Sequence, residues 1–357
     1  MNKTIHLFSH SDAHTTARYF LTAIKKSYHN VLYWTSPPDP SQINDDDIFF
    51  FIDPSSDWPI GLEKINCLTI AYFIDVHQNL KLRLTQSFFF DKVYLAQKDY
   101  VHYFESSGHH EVDWLPLACA PHLYTKHFFS RNIDVSFIGN FGAEGTYRYT
   151  TLINIQKAFP EHIVSKFTPP LDMVNVYQKS KIVFNISVNG DLNMRFFEAM
   201  ASGALLISDR INNGLNCLFE ENVHYIGYSS PEEAIYRINY YLQHEDERVL
   251  IANAGFSIVH KIHTYDNRWL KISSELNSIP SKKAPARFLN KKELVRLYSQ
   301  IFTGIRMPIR SAQSILKYGV TFYGIYSFFY SFFRKLNQLI PITPKAIAFR
   351  IRSSKLK

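Results

Sequence analysis

The most informative stretch of the chain is NGDLNMRFFEAMASGALLISD at residues 189–209. Its pattern predicts a loop, then a helix that begins near Asp191 or Leu192 and stops at Gly203, since glycine commonly ends a helix. The apolar run that follows predicts a buried strand that ends at Asp209. A helix that leads directly into a buried strand is typical of a parallel α/β sheet.

One face of this predicted helix is polar. The residues that share the face at helical spacing are Asp191, Arg195, Glu198 and Ser202. A helix N-terminus at the carboxyl end of a strand favours an anion, because its free N–H groups and its dipole point at the ligand. A diphosphate suits this position, with Arg195 as a bidentate clamp and Glu198 as acceptor for sugar hydroxyls. The alternative is a surface helix on which these side chains pair with one another.

Short apolar runs alternate with stretches of helical period as far as about residue 277, which favours parallel sheets covered by helices. Strands are predicted at 4–8, 31–35, 48–53, 67–74, 91–96 and 112–117, and again at 133–139, 162–167, 181–187, 204–208 and 223–227. Helices are predicted at 15–28, 78–87 and 97–107, and then at 145–159, 171–180, 192–202, 231–243, 246–261 and 265–277. We therefore expect two Rossmann-like halves that face each other across a ligand-binding cleft.

The domain boundaries follow from changes in composition. A polar stretch at 118–132 separates the halves, so we predict an N-terminal domain at 1–128 and a C-terminal domain at 129–280. Residues 281–357 are predicted to form a basic, aromatic-rich helical tail. With 46% hydrophobic and 20% charged residues, the chain has the composition of a globular protein rather than a disordered one.

The charge is divided unevenly along the chain. The formal net charge is +8, yet residues 282–357 hold 16 of the 39 Lys and Arg and a single acid, Glu293. Nucleic-acid binding by the mildly acidic body is therefore not expected, whereas the tail suits an anionic partner. The run 319–333 is apolar and uncharged but too short to cross a bilayer, so we expect it to lie in the interface of an anionic membrane.

The cysteines indicate a reducing compartment. Cys67, Cys119 and Cys217 lie far apart, without the spacing of a disulfide framework or a zinc site. The N-terminus runs directly into a predicted strand and lacks the long apolar stretch of a secretory signal. We therefore expect a cytoplasmic protein, peripheral at the inner face of the membrane.

Several segments resemble the GT-B glycosyltransferases, in particular the group-1-like branch that includes CgeB-type spore-maturation proteins. The resemblance rests on Asn193-Met194-Arg195-Phe196-Phe197-Glu198-Ala199 with the small-residue turn, strand and Asp that follow. It continues through Ser230-Pro231-Glu232-Glu233 and His263-Thr264-Tyr265, and upstream segments at 73–77, 134–140 and 182–185 also match. The resemblance covers about residues 65–277 and implies a GT-B architecture with a nucleotide-sugar donor on the second domain.

Carried over residue by residue, the resemblance implies that the loop starting at Gly139 lies against the donor and that Glu198 holds the nucleotide ribose. Many retaining GT-B enzymes carry another glutamate eight residues before that one, where this chain has Gly190. Asp191 or Asn193 is the expected substitute. The predicted donor-binding residues are Gly139, Asn140, Arg148, Asn193, Arg195, Glu198 and Asp209.

The acceptor side is predicted to carry the catalytic base. Asp75 and His77 follow an apolar strand, and a His or carboxylate there can take the proton of an attacking hydroxyl. The alternative is that Asp75 caps the next helix while His77 is solvated. His14, in the loop after the first strand, is a further catalytic candidate by resemblance. No metal or other cofactor is expected, because the resemblance implies that helix dipoles and basic side chains neutralise the diphosphate.

The predicted function is glycosyl transfer from a nucleotide sugar to an acceptor hydroxyl, with a lipid-linked or envelope saccharide as the expected acceptor. Two alternatives stay open. A GT-B-fold sugar-nucleotide epimerase or phosphorylase would share the donor pocket. A non-catalytic nucleotide-sugar-binding or scaffold protein is the other, and Gly190 in place of the glutamate favours it slightly.

Overall fold

The structure is a computed structural model that describes residues 3–9, 16–53, 58–109, 111–124, 130–161, 163–164 and 169–339. The strands of its first sheet are β1 (Ile5–Phe8), β2 (Val31–Trp34), β3 (Ile48–Ile52), β4 (Leu68–Phe73), β5 (Lys92–Leu95) and β6 (Val112–Trp114). They are parallel and lie in the order β2-β1-β3-β4-β5-β6. This is the doubly wound order 2-1-3-4-5 extended by a sixth strand, a Rossmann-like arrangement.

Alternate residues of these strands enter two different cores. In β3, Phe50 contacts the core on one face of the sheet, whereas Phe49 and Phe51 contact the core on the other. Helix α1 (Thr16–Ile24) covers the first face, and α2 (Leu80–Ser87) and α3 (Val101–Ser106) lie on the second. Because both faces are covered, the strands are continuous apolar runs rather than alternating ones.

The second sheet is built in the same way. Its strands are β7 (Ile133–Ile138), β8 (Ile163–Val164), β9 (Ser180–Asn185), β10 (Leu205–Asp209) and β11 (Ile226–Tyr228). They are parallel in the order β11-β10-β9-β7-β8. The helices that pack around this sheet are α4 (Tyr147–Ala158), α5 (Pro170–Lys179), α6 (Met194–Ala201), α7 (Pro231–Gln243) and α8 (Glu245–Ile262).

The order of the second sheet creates a crevice between β7 and β9. The chain passes from β7 to β8 on one side and then to β9 on the other, so the strand order reverses between β7 and β9. Ligands of open α/β sheets bind outside the carboxyl ends of the strands at such a reversal. The loops that begin there are 139–146 after β7 and 186–193 after β9.

Helix α9 (Tyr265–Glu275) carries the chain back to the first domain, although its sequence pattern groups it with the second. The indole N–H of Trp269 donates to Ser27 Oγ at 2.9 Å, and Tyr94 Oη donates to Glu275 at 2.6 Å. The two segments that connect the domains, one around Cys119 and the other around residues 263–265, are hydrogen-bonded to each other. Cys119 N–H donates to the His263 carbonyl and Tyr265 N–H donates to the Cys119 carbonyl, both at 3.0 Å. The domains are thus joined by two adjacent segments.

The basic C-terminal region begins as a docked part of the first domain. Its helices are α10 (Lys291–Gly304), α11 (Pro308–Tyr318) and α12 (Phe322–Leu339). Tyr298 Oη accepts from the N–H of Gly61 at 2.7 Å and donates to Glu63 at 2.7 Å. The Asp91 carboxylate accepts from the backbone N–H groups of residues 283 and 284 and pairs with Arg287 at 3.2 Å. Buried residues of α10 therefore complete the core on the second face of the sheet.

The predicted fold class is confirmed: two Rossmann-like domains and a helical C-terminal region are present. One prediction about the key stretch is wrong. Helix α6 begins at Met194, after the N-cap residue Asn193, and not near Leu192. The reason is that the Asp191 carboxylate accepts a hydrogen bond from the Val188 N–H at 2.8 Å, which holds Asp191 in the preceding turn. Asp191 therefore does not share a helix face with Arg195.

Candidate active site

The Arg195 side chain points into the second sheet. Its Nε donates to Tyr177 Oη at 3.1 Å, its Nη1 to Asn185 Oδ1 at 2.7 Å and its Nη2 to the Ile138 carbonyl at 2.7 Å. The guanidinium also lies 4.3 Å from the centroid of the Phe137 ring. The predicted ion pairs of a surface helix are absent here, because each nitrogen of Arg195 already donates to a neutral group of the described protein.

Gly139 makes room for this arginine. A Cβ at position 139 would lie 2.6 Å from Arg195 Nη2, and Gly139 has φ +155°. Both the close approach and the backbone angle require glycine. Arg195 therefore holds the start of the loop at Gly139, at the carboxyl end of β7. This is the loop that we predicted to lie against the donor.

Arg148 provides a second guanidinium group beside the Phe137 ring. It donates to the Asn140 carbonyl at 2.9 Å and to the Ile186 carbonyl, and it lies 5.6 Å from the Phe137 ring. Burial and the nearby charge of Arg195 together lower the pKa of Arg148 to about 10, while Asp191 and Asp209 oppose the shift. Neither arginine forms an ion pair with a carboxylate in the described part of the chain, so the positive charge of the pair is not cancelled by a direct partner.

A pocket opens at the carboxyl ends of β7, β9 and β10, beside these arginines. It is lined by Gly142, Ala143, Thr146, Tyr147, Arg148, Ile186, Ser187, Val188, Asn189, Gly190, Asp209, Arg210, Ile211 and Asn212. Thr146 is the N-cap of α4, so the positive end of that helix dipole also faces the pocket. Of its charged side chains, Arg210 is paired with Glu221 and Glu233, and Asp209 bonds Ser187, so Arg148 and the helix N-terminus are the features that suit an anionic ligand.

Asp209 and Asn193, two of the predicted donor-binding residues, have structural partners. Asp209 accepts hydrogen bonds from the backbone N–H and the hydroxyl of Ser187, the former at 2.9 Å. Burial raises the pKa of Asp209, and the bonds from Ser187 oppose the rise. Asn193 caps α6 by accepting from the Arg195 N–H at 3.1 Å. Asp209 lines the pocket, whereas Asn193 does not.

Glu198 is buried among aromatic side chains between the two domains. Its side chain is within electrostatic range of Tyr19 on α1 and of Tyr124, which lies in the segment that leads from the first domain to the second. Burial raises the pKa of Glu198 to about 7, and the charge of Arg195 opposes the rise. No residue among those described donates a hydrogen bond to this carboxylate, which leaves its oxygens able to accept from a ligand.

A second pocket lies between the domains. Its first-domain walls are His77, Gln97, Asp99, Tyr100 and Tyr103, and its second-domain walls are Asn189, Gly190, Asp191 and Asn213. The structure therefore brings the predicted base His77 together with Asp191, the expected substitute for the missing glutamate. Burial raises the pKa of Asp191, while the Val188 N–H and His77 lower it and Asp75 raises it.

His77 has unused hydrogen-bonding capacity. Both ring nitrogens are buried, and neither has a hydrogen-bond partner within the ranges that the structure describes. The alternative in which Asp75 caps the next helix is wrong, since Asp75 makes no side-chain cap bond and Asn79 caps α2 instead. His77 thus lines the interdomain pocket with two ring nitrogens that have no protein partner among the described residues.

The sequence did not single out the contact that spans this pocket. The backbone N–H of Asp99 donates to Asn213 Oδ1, and the N–H of Asn213 donates to Asp99 Oδ2, both at 3.2 Å. Next to them Lys98 Nζ lies 3.0 Å from Cys217 Sγ. Asp99 follows the end of β5, which is the only signal in the sequence that could have indicated it.

The remaining predictions concern His14, the presence of a metal site and contact with a membrane. His14 lies outside the described residues. No group of three or more His, Cys, Asp and Glu side chains that could hold a metal occurs within the described ranges. None of the helices described here is both long enough and apolar enough to cross a membrane.

Comparison with known proteins identifies the fold family. Residues 126–274 match the family described as glycosyl transferase-like. No curated protein matches the chain. Among solved structures, Alr3699/HepE from Anabaena, determined in complex with UDP, superposes with a TM-score of 0.58 at 12% identity, covering 77% of this chain and 100% of that one.

Two further structures have the same fold. A glycosyltransferase from Rickettsia africae superposes with a TM-score of 0.57 at 11% identity over 78% of this chain and 99% of its own. Sucrose-phosphate synthase from Thermosynechococcus elongatus does so with a TM-score of 0.55 at 10% identity, over 77% of this chain and 98% of its own. The predicted resemblance to GT-B proteins is thereby confirmed at the level of the fold, and the match to the glycosyl transferase-like family lies in the second domain.

Proposed function

We propose that the protein transfers a sugar from a nucleoside-diphosphate sugar to an acceptor hydroxyl. The observation that carries this proposal is the pair of arginines, Arg148 and Arg195, which lie over one phenylalanine ring at the strand reversal without a carboxylate partner. Solved structures of the same fold support it, since HepE from Anabaena has been determined with UDP and with UDP-glucose.

In this proposal the diphosphate lies against the loop after β7 and the N-terminus of α4. Arg148 faces it from the pocket wall, and Arg195 holds the loop in place from behind. Glu198 is assigned to the ribose, because its buried oxygens are free to accept from hydroxyl groups. The negative charge that develops on the leaving diphosphate is then stabilised by fixed positive groups, which need no rearrangement during the reaction.

The acceptor is proposed to enter the interdomain pocket. A ring nitrogen of His77 takes the proton of the acceptor hydroxyl as its oxygen bonds to the anomeric carbon of the sugar. The bond from that carbon to the diphosphate breaks, and the diphosphate leaves with the electron pair. Asp191, on the opposite wall, is assigned to the sugar in place of the absent glutamate.

The test is calorimetry with UDP, GDP, ADP and CMP, followed by turnover with the corresponding labelled sugar donors. We expect one nucleotide to bind and its labelled sugar to appear in a product linked to an acceptor. Conversion of the donor into an isomeric donor would indicate an epimerase instead. Donor binding without any turnover would indicate a non-catalytic binding protein.

No metal ion is needed in this proposal, because the two arginines and the α4 dipole supply the positive charge. Turnover measured in buffer with EDTA should therefore equal turnover with added Mg²⁺ or Mn²⁺. A loss of turnover in EDTA that Mg²⁺ restores would contradict this part of the proposal.

Residues 282–357 are proposed to contact an anionic membrane surface at its cytoplasmic face, with a lipid-linked saccharide as acceptor. The charge of this segment supports the membrane contact, since it holds 16 basic residues and one acid. All three cysteines are free thiols, which suits a reducing compartment. Nucleic acid is not proposed as a partner of the acidic body.

A further inference from the structure

A basic groove lies between α2, α10 and α12. Its lining includes Gln78, Asn79, Lys81, Arg306, Tyr326 and Arg334, and no carboxylate. Lys81 and Arg334 are exposed, and none of the three cations forms an ion pair with an acid of the described chain. Arg334 also lies 5.8 Å from the Tyr330 ring. The groove therefore offers uncompensated positive charge beside aromatic rings.

Helix α12 is packed with its small residues inward. Gly324, Ser327 and Ser331 are buried against the neighbouring helices. A Cβ at position 324 would lie 3.0 Å from both Ile315 and Val295, so the helix approaches its neighbours closely there. Most of the large side chains of α12 therefore lie on the outer face, whereas Phe328 packs against the core.

That outer face is an aromatic stripe. Phe322, Tyr326, Phe329 and Phe333 follow one another at helical spacing and are 89%, 59%, 50% and 61% exposed. Monomeric soluble proteins rarely expose a contiguous apolar patch of this kind, and such patches mark interaction surfaces. A helix with aromatic residues on one side and basic residues beside them is suited to the interface of an anionic bilayer.

The groove and the interdomain pocket share one turn of the chain. The short 3-10 helix Val76–Gln78 presents His77 to the interdomain pocket and Gln78 to the groove. A molecule held at the groove would therefore lie on the other side of the turn that carries the proposed base. This places the aromatic stripe on the acceptor side of the molecule rather than on the donor side.

We propose that the aromatic stripe inserts into an anionic bilayer and that the groove binds the phosphate of a lipid headgroup, so that the acceptor is a membrane-borne, phosphate-bearing lipid. The bilayer contact stands on the groove and stripe alone. The acceptor class rests on the proposed function, since it assumes that His77 is the base.

Vesicle sedimentation of the full chain tests the bilayer contact. The protein should bind vesicles of phosphatidylcholine with phosphatidylglycerol and not vesicles of phosphatidylcholine alone, and about 1 M salt should weaken the binding. The variant Lys81→Gln/Arg306→Gln/Arg334→Gln should bind roughly 100-fold more weakly. The matched control Lys157→Gln/Lys179→Gln/Lys261→Gln removes the same charge from the second domain and should bind like the wild type. A Tyr326→Ser/Phe329→Ser variant should also lose binding.

Three outcomes would overturn the inference. The first is equal binding by the groove variant and its control. The second is loss of binding only when Lys345, Arg350 and Arg352 are changed to Gln in the full chain. The third is retention of single-stranded RNA without retention of anionic vesicles. Nucleotide binding is measured by calorimetry on the wild type and on every variant. If no nucleotide binds, the proposed function is wrong, whereas the conclusion from vesicle binding is unaffected.

The acceptor class is tested with membranes isolated from the source cells and the labelled donor that binds in calorimetry. Label transferred by the wild type should be extractable into chloroform, and the groove variant should transfer at least about tenfold less while it binds the nucleotide normally. Label found only in a water-soluble product would overturn the assignment of a lipid acceptor.

Discussion

Asp99 and Asn213 hydrogen-bond each other reciprocally across the interdomain pocket, the backbone N–H of each donating to the side-chain oxygen of the other at 3.2 Å. The pair joins the loop after β5 in the first domain to the loop after β10 in the second. Because His77 and Asp191 line the same pocket, this contact sets the separation of the proposed acceptor-side and donor-side residues when the domains are arranged as in this structure.

Breaking this contact should reduce catalysis. We expect Asp99→Ala and Asn213→Ala each to lower kcat/KM several-fold, because each removes one of the two hydrogen bonds, and the double variant, which removes both, to lower it further. The measurement is a double-mutant cycle in kcat/KM. Asp134→Ala, which removes an ion pair within the second domain, is the control. Unchanged kcat/KM in the double variant would show that the contact does not couple the domains.

Gly139→Ala should displace Arg195, because the new Cβ would lie 2.6 Å from Nη2 of that side chain. We expect a loss of about 1–3 kcal/mol in the free energy of unfolding and weaker nucleotide binding. Thermal unfolding and calorimetry measure the two effects. Gly108→Ala is the control, since Gly108 also has positive φ but open space around it. Equal nucleotide affinity of the Gly139 variant and the wild type would separate Arg195 from the donor site.

The buried carboxyl of Glu198 should make stability depend on pH. Its pKa is about 7 in the folded protein against an ordinary 4.5. Between these values the folded state keeps a proton that the unfolded chain releases, so stability falls as pH rises and the loss is complete above about pH 7. Glu198→Gln cannot ionise, so its stability relative to wild type should rise by up to about 3 kcal/mol between about pH 4.5 and about pH 8.

Urea unfolding of both proteins across this range measures the difference. Groups other than Glu198 titrate in both proteins and cancel. A difference in unfolding free energy that is constant with pH would contradict the raised pKa of Glu198.

His77→Gln should slow turnover without weakening donor binding. Glutamine keeps the polarity of the pocket wall but cannot take a proton at neutral pH, so we expect kcat to fall by about 10²–10⁴-fold. Steady-state kinetics and calorimetry separate the two effects. His29→Gln, at an exposed position of the first domain, is the control. A normal kcat in the His77 variant would show that His77 is not the catalytic base, and His14 would be the next candidate.

The strands of both sheets could be predicted closely because buried parallel strands are continuous apolar runs. The predicted strand 67–74 is observed as Leu68–Phe73, and 133–139 as Ile133–Ile138. The start of α6 could not be predicted, since the bond from Val188 to Asp191 competes with helix formation and is not visible as periodicity. The direction of the Arg195 side chain could not be predicted from helical spacing either. It points into the sheet because its hydrogen-bond partners lie on β7, α5 and β9, which are distant in sequence.

The docking of the C-terminal helices depends on contacts between distant parts of the chain. Tyr298 and Tyr318 both donate to Glu63, more than 200 residues earlier in the chain. The composition of the tail indicated its charge correctly, but composition carries no information about which surface a helix covers. The interdomain contact of Asp99 with Asn213 escaped prediction for the same reason.

The two connecting segments that hydrogen-bond each other at Cys119 and Tyr265 restrict how the two domains can move apart. A single connecting segment would let one lobe swivel freely on the other, whereas two segments bonded side by side form a hinge that resists torsion. Opening should then be a bend about one axis that runs through the two connecting segments. Such a motion would let the domains separate and come together again with the same side chains facing each other, which the proposed transfer reaction requires.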